Sequence, residues 1–259
     1  MGPYRLIGFV LVSAVLSPWS GHAQQVEPDR WFFHADPYLW TANVSGTATV
    51  GDVTVPVDRG SEGLSSGIVF LGNLLVEVGR NRWSGIFEIG TVSFDDSTVV
   101  GGSAPAGTGL GYSYTILLLR LFAVYRVTPL ESPHGVSVLA GARFNSHDMD
   151  VVSYEGLPDQ DLAFSEGWLD PTVGVRYYTP LPGNLMVTAK AEVGGFGIGS
   201  DFAWSAAGVL GWRFSRPVGV TLGYRYKWVD YKDPGTVPSG SFAYEGSIHG
   251  LMLGVMLVL

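Results

Sequence analysis

Apolar and polar residues alternate along most of this chain, and the alternation is most regular between positions 218 and 228. The even-numbered residues of this segment are apolar or aromatic: Val218, Val220, Leu222, Tyr224, Tyr226 and Trp228. The odd-numbered residues are small or polar, and they include Arg225 and Lys227. Because side chains two residues apart lie on the same face of a β-strand, this pattern predicts a strand with one apolar face and one charged face.

The same kind of alternation recurs in ten segments, each long enough to cross a membrane as a tilted strand, for which about 9–11 residues suffice. The predicted strands occupy residues 32–45, 67–79, 82–94, 112–127, 135–149, 168–179, 185–199, 202–214, 218–231 and 247–259. The last of them is apolar on both faces. An even number of strands places both ends of the sheet on the same side, and eight or twelve strands remain the alternatives.

The predicted connections alternate between short and long. The short set consists of residues 79–82, 129–135, 180–184 and 215–219. The other set is mostly longer and acidic, and it consists of residues 46–67, 95–110, 150–166 and 232–242, with a tight turn at 199–201. Short turns on the periplasmic side and longer loops outside are typical of outer-membrane barrels. The aromatic residues next to the short turns predict a girdle at that membrane surface: Trp83, Tyr125, Tyr177, Trp212 and Phe214.

The composition favours an outer surface that faces lipid. Only 15% of the residues are charged, 13% are aromatic, and 36 of the 259 are glycine, whereas an ordinary soluble domain has about 25% charged residues. Lipid offers the backbone no hydrogen-bond partners, so only helices and closed sheets cross it, and no apolar run after residue 23 reaches the roughly 18 residues that a helix requires. The sequence therefore predicts an all-β fold, a single closed antiparallel transmembrane β-barrel. A soluble β-sandwich would show similar alternation and is the alternative.

Residues 1–23 predict a secretory signal peptide. Arg5 precedes an eleven-residue apolar run at 6–16, and small residues lead to a cleavage site after Ala23. An N-terminal membrane anchor is the alternative. We therefore expect residues 24–259 to form the barrel, located in the bacterial outer membrane.

The charge balance narrows the choice of partners. The chain has 23 acidic and 15 basic residues, a net charge of −8, and no basic stripe, which excludes nucleic acid as an expected partner. It has no cysteine for a disulfide or a thiolate metal site, and we expect no metal and no cofactor. The expected partners of a monomeric barrel are outer-membrane lipid, lipopolysaccharide and the barrel-assembly machinery during biogenesis. A further hypothesis is that the acidic loops concentrate divalent cations, which bridge to lipopolysaccharide phosphates.

The glycine-rich segment at 194–200 matches a phosphate-binding loop only in part. A dinucleotide-binding fingerprint requires G-x-G-x-x-G at the start of a helix. Here Gly195 and Gly197 fit, but Ser200 occupies the third glycine position and an alternating segment follows. We therefore predict that these glycines serve the backbone geometry of a strand end.

Several stretches of the chain together resemble an uncharacterised family of Gram-negative outer-membrane β-barrel proteins. They are WFFHADPYLW from Trp31, WLDPTVGVRYY from Trp168, EVGGFGIGSDFAW from Glu192, and GYRYKWVDY from Gly223 followed by SIHGLMLGVML. The resemblance extends from Trp31 over the rest of the chain. It implies a small outer-membrane barrel and supplies no catalytic residue.

Twelve charged residues fall on the strand faces that turn away from lipid. Because a charge on the lipid face costs about 2–4 kcal/mol at the bilayer midplane, we expect these residues to line the lumen and form a possible constriction: Asp36, Glu77, Glu88, Arg120, Arg143, Asp170, Arg176, Lys190, Glu192, Arg213, Arg225 and Lys227. One interpretation is a polar core that fills a narrow barrel. The other is a weakly anion-preferring pathway for ions or small solutes.

The expected function is therefore that of an integral outer-membrane barrel with a structural or passive pore role and no enzymatic activity. One alternative is a hydrolase at the extracellular rim, since ten strands is also the count of the omptin proteases. Its candidate general base is His147, beside Asp148 and Asp150. The other alternative is an adhesin or receptor that acts through its loops.

Overall fold

The computed structural model describes residues 29–41, 43–50, 53–56, 70–99, 109–154, 162–233 and 242–258. The predicted signal peptide lies outside these ranges. No helix in the described ranges is long and apolar enough to cross a membrane. The strands are β1 (Trp31–Thr41), β2 (Asn43–Val50), β3 (Val53–Pro56), β4 (Phe70–Arg80), β5 (Trp83–Val99), β6 (Gly109–Arg126), β7 (Gly135–Tyr154), β8 (Leu162–Leu181), β9 (Leu185–Gly195), β10 (Phe202–Arg213), β11 (Val218–Asp233) and β12 (Phe242–Val258).

Ten of these strands form a closed antiparallel barrel. Each strand from β4 to β12 pairs with its neighbour in sequence, and β1 pairs with both β4 and β12. This closure confirms the predicted ten-stranded all-β barrel. The strands β2 and β3 form a hairpin beyond the predicted first strand, and β2 continues the pairing of β1 along the same neighbour, β12.

Several strands extend further than their alternation predicts. The strands β7 and β8 each have 20 residues, which corresponds to a length of about 65 Å. Parts of the segments predicted as long loops are therefore strand. That prediction is wrong for residues 46–50, 53–56, 95–99, 109–110, 150–154, 162–166, 232–233 and 242. Backbone pairing with neighbouring strands continues there, beyond the length that a membrane requires.

The short turns all lie at one end of the barrel, which is called the lower end here. Asn81 and Arg82 join β4 to β5, and residues 127–134, 182–184 and 214–217 join the later pairs. The start of β1 and the end of β12 lie at this end too, because Trp31 pairs with Arg80 and His34 pairs with Val258. The opposite, upper end carries the extended strands.

The outer surface is apolar between two aromatic zones. Leu121, Leu222 and Leu253 are 64%, 53% and 60% exposed, so large apolar side chains point outward at mid-height. Phe202 and Trp204 lie at the upper end of β10, and Trp212 and the following Phe214 lie at its lower end. With the usual rise and tilt of a barrel strand, these pairs are roughly 25 Å apart along the membrane normal. This is the height of a lipid-facing band, so the barrel is transmembrane.

The position of Leu121 on this band predicts that an introduced charge lowers the free energy of unfolding more at the middle of the band than at its edge. Leu121→Arg places a guanidinium in the middle of the lipid and should lower the free energy of unfolding by about 2–4 kcal/mol. Val127→Arg, at the lower end of the same hairpin, should cost about 0–1 kcal/mol because its side chain reaches the interface. Urea unfolding of both variants in lipid vesicles measures the difference, and equal costs would show that the band does not lie in the membrane.

Candidate functional site

A row of charged residues crosses four neighbouring strands at mid-height. Glu88 on β5 is opposite Arg120 on β6, Arg120 is opposite Arg143 on β7, and Arg143 is opposite Asp170 on β8. All four side chains are buried. Directly opposed like charges destabilise a sheet, so Arg120 and Arg143 require carboxylates from elsewhere.

Glu192 supplies one of these carboxylates from β9. Its Oε2 accepts a hydrogen bond from Arg120 Nη2 and another from Arg143 Nη2 at 3.3 Å. Lys190 Nζ lies 3.0 Å from its Oε1, and Ser205 Oγ donates to Oε2 at 2.9 Å. One buried carboxylate therefore connects three cations carried by three different strands.

Glu88, which lies at the β5 end of the row, supplies the second carboxylate. Arg120 Nη1 donates to its Oε2 at 2.9 Å, and Arg225 Nη1, from β11, donates to its Oε1 at 2.7 Å. The Tyr38 hydroxyl also donates to Glu88 and accepts a bond from Arg225 at 2.8 Å. The six residues Glu88, Arg120, Arg143, Lys190, Glu192 and Arg225 are called the belt below, because their ion pairs cross the lumen.

A second polar chain continues from the belt towards the upper end. Lys227 Nζ donates to Asn145 Oδ1 at 2.6 Å, and Asn145 Nδ2 donates to Asp170 Oδ2 at 3.2 Å. Asp170 Oδ1 accepts bonds from the backbone nitrogen of Ser200 at 2.7 Å and from its hydroxyl at 2.8 Å. These contacts attach the turn between β9 and β10 to the interior of the barrel.

The glycines of that turn have the geometric role predicted from the sequence. Gly195 and Gly197 have φ values of 89° and 71°, in the left-handed region that glycine adopts most easily. A Cβ on Gly195 would lie 2.5 Å from the carbonyl oxygen of Ser200. The strand β9 ends at Gly195, four residues earlier than predicted, and the chain turns inward so that Ser200 reaches Asp170.

Above the belt, the lumen is filled by buried aromatic side chains, called the upper cluster: Tyr114, His147, Trp168, Tyr231, Phe242 and Tyr244. The His147 ring stacks on Trp168 at 4.7 Å between centroids, and Trp168 stacks on Tyr231 at 4.0 Å. The Tyr114 hydroxyl is hydrogen-bonded to His147 Nδ1. Among the described residues, this packing resembles the apolar core of a soluble protein.

The pairing of His147 with a neighbouring aspartate, which the alternative of a rim hydrolase would require, does not form. His147 is 2% exposed and points into the upper cluster. Asp148 is adjacent in sequence and therefore lies on the opposite face of β7, where it accepts hydrogen bonds from Ser146 and Ser165. Asp150 shares the face of Asp148, so neither carboxylate orients the imidazole.

Below the belt, a cavity of about 290 Å³ extends to the lower end. Arg176 donates two hydrogen bonds to Glu77, at 2.7 and 2.9 Å, and Ser84 donates a third at 2.6 Å. Leu75, Ile86, Val124, Met186, Val209, Met252 and Met256 give the cavity apolar walls. Asp36 lines it as well, and its Oδ1 has no hydrogen-bond partner in the part of the chain that the structure describes.

The structure places the twelve predicted lumen residues in three groups. Six form the belt, Asp170 and Lys227 belong to the polar chain above it, and Asp36, Glu77, Arg176 and Arg213 lie below it. Two further residues, Tyr38 and Asn145, bond directly to these charges and were not among the predicted lumen residues. Both share a strand face with a predicted lumen charge, so the same alternation could have identified them. Among the described residues, no group of three or more His, Cys, Asp or Glu could hold a metal ion.

The comparisons with known proteins concern the fold. No family model and no curated protein matches the chain. The chain is similar to the outer membrane protease OmpT from Escherichia coli, with a TM-score of 0.57 and 11% identity over 90% of this chain and 100% of that one. The translocator domain of the autotransporter NalP from Neisseria meningitidis matches with a TM-score of 0.47 and 13% identity over 90% of each chain. The closed barrel and the likeness to OmpT agree that this chain has the fold of an outer-membrane β-barrel.

Proposed function

We propose that this protein is a structural outer-membrane barrel whose lumen does not conduct ions or solutes. The observation that carries the proposal is the belt, whose ion pairs at mid-height connect strands that are two to four places apart around the barrel. A ten-stranded barrel is only a little wider than an eight-stranded one, whose interior side chains nearly fill it. The belt therefore acts as a polar core that holds the wall together.

Opening a path through the belt would require several buried ion pairs to break at once. Glu88 and Glu192 together accept hydrogen bonds from Arg120, Arg143 and Arg225, and separating a buried charge from its partner costs several kcal/mol. The upper cluster adds a second barrier, because the rings of Trp168, His147 and Tyr231 stack on one another. A passive pore would require the side chains of both the belt and the upper cluster to move.

We propose further that the protein is not an enzyme and that lipid and lipopolysaccharide are the partners of its outer surface. The opposite orientations of His147 and Asp148 support the first statement, because a rim hydrolase needs its base and carboxylate to converge. The apolar band between the aromatic zones supports the second.

The closed lumen predicts that the protein gives no channel conductance in a planar bilayer. Purified wild-type protein and Arg225→Ala should both give no discrete conductance steps, because the upper cluster closes the lumen even when one belt side chain is removed. The heat-modifiable mobility of each protein on a gel verifies that the barrel has folded. Reproducible steps in the wild type, with an ion selectivity that changes in Arg225→Ala, would instead make the belt the filter of a small channel.

The structural role of the belt predicts a large stability change at Glu192. Glu192→Gln keeps the shape of the side chain but leaves Arg120, Arg143 and Lys190 with one carboxylate fewer, so it should lower the free energy of unfolding by about 3–5 kcal/mol. Urea unfolding in detergent, followed by tryptophan fluorescence, measures the change. Glu131→Gln makes the same substitution in the exposed lower turn and should have no measurable effect. Similar stabilities of the two variants would contradict the role of the belt as a core.

A further inference from the structure

A small internal cavity of about 20 Å³ adjoins the belt. It is separate from the large lower cavity, and the residues that line it come from seven strands: Trp40, Asn73, Glu88, Gly90, Leu118, Arg120, Arg143, Ser205, Arg225 and Lys227. A buried space needs about 10–15 Å³ to accept one water molecule. This cavity therefore has room for one water molecule or one monatomic ion of similar size.

The charges around this cavity do not balance. Four cations line it, Arg120, Arg143, Arg225 and Lys227, and Glu88 is the only carboxylate among the lining residues. When their described ion-pair and hydrogen-bond partners are included, five cations face three carboxylates, since Lys190 joins the cations and Glu192 and Asp170 join the acids. If all five cations were ionised, two buried positive charges would lack a counter-charge, which is costly in a low-dielectric interior unless an anion enters or a lysine loses its proton.

Hydrogen-bond donors are also in excess around the cavity. Arg120 Nε, Arg143 Nη1, Arg225 Nε and Trp40 Nε1 are buried and have no acceptor among the described residues. Each of these four residues is more than nine-tenths buried. Buried N–H groups are almost always hydrogen-bonded in native proteins, so the lining of the cavity requires an additional acceptor.

We propose that this cavity binds one monovalent inorganic anion of halide size, with chloride as the cellular ligand. A water molecule would accept hydrogen bonds from two of the free N–H groups but would leave the charge excess unchanged. A halide accepts several N–H bonds and removes one positive charge. Polyatomic anions such as sulfate and phosphate are too large for the space. The belt and the upper cluster enclose the site, so the anion is taken up as the barrel closes.

Bromide replaces chloride in the same site and scatters X-rays anomalously. Protein refolded from urea in bromide and crystallised should show one anomalous peak in the cavity, within hydrogen-bond distance of the guanidinium groups of Arg143 and Arg225. A cavity without an anomalous peak would overturn the proposal and assign the space to water, whether or not the lumen conducts.

A pair of lysine variants on β11 tests the same site in solution. Wild-type protein should melt about 5 °C higher in chloride than in gluconate at equal ionic strength, because gluconate is too large to enter and a ligand of the folded state alone raises its stability. Lys232→Met, at an exposed position on the same strand, should keep this difference. Lys227→Met removes a cation from the lining and should lose most of it.

A third variant shows whether a smaller chloride effect reflects weaker anion binding or a failure of the variant to fold. Trp40→Phe removes one free N–H donor from the lining without changing the net charge, and it should reduce the chloride effect by about half. Equal melting temperatures of the wild type in chloride and gluconate, or an unchanged chloride effect in both Lys227→Met and Trp40→Phe, would show that no anion occupies the cavity.

Discussion

The fold depends on one constraint, which is that a lipid-facing barrel must keep its charges inside a narrow lumen. Six strands, β5 to β9 and β11, carry a buried ionic group on their inner face at mid-height, and the belt is the arrangement in which most of these groups pair with one another. Glu192 on β9 bonds to cations on β6 and β7, and Glu88 on β5 bonds to a cation on β11, four places away around the barrel. Such cross-lumen pairs act as an apolar core does in a soluble protein, because they couple strands that share no backbone hydrogen bonds.

The four stretches that begin at Trp31, Trp168, Glu192 and Gly223 converge on this interior. Tyr38 and Trp40 of the first contact Arg225 of the last, through a hydrogen bond and through the ring of Trp40. Asp170 of the second anchors Ser200 of the third. Lys227 reaches Asp170 through Asn145. Stretches that are far apart along the chain therefore describe one connected network, which explains why they combine aromatic, charged and glycine residues.

The two halves of the lumen differ in what fills them. Above the belt, aromatic rings pack closely and the strands continue past the membrane. Below it, the inner faces carry methionines and aliphatic residues that leave a cavity of about 290 Å³. The alternation of β12 reflects this, because its inward Met252 and Met256 line the cavity while its outward residues face lipid. The described part of the lumen is therefore packed in its middle and upper parts and hollow in its lower part.

The sequence by itself favoured ten barrel strands over eight or twelve. It determined the face on which each side chain lies and the short turns, because an alternation of period two records which side of a strand faces lipid. From the sequence alone, Arg225 and Lys227 were assigned to one face of their strand, and Tyr224 and Trp228 were assigned to the other face. The tertiary structure alone decided which charges meet, since the period says nothing about which strand lies across the lumen. Arg120 and Glu192 are 72 residues apart, and only the curvature of the closed sheet brings them together. The extension of β5 to β8 beyond the membrane was also set by neighbouring strands, through backbone hydrogen bonds that leave no alternation in the side chains.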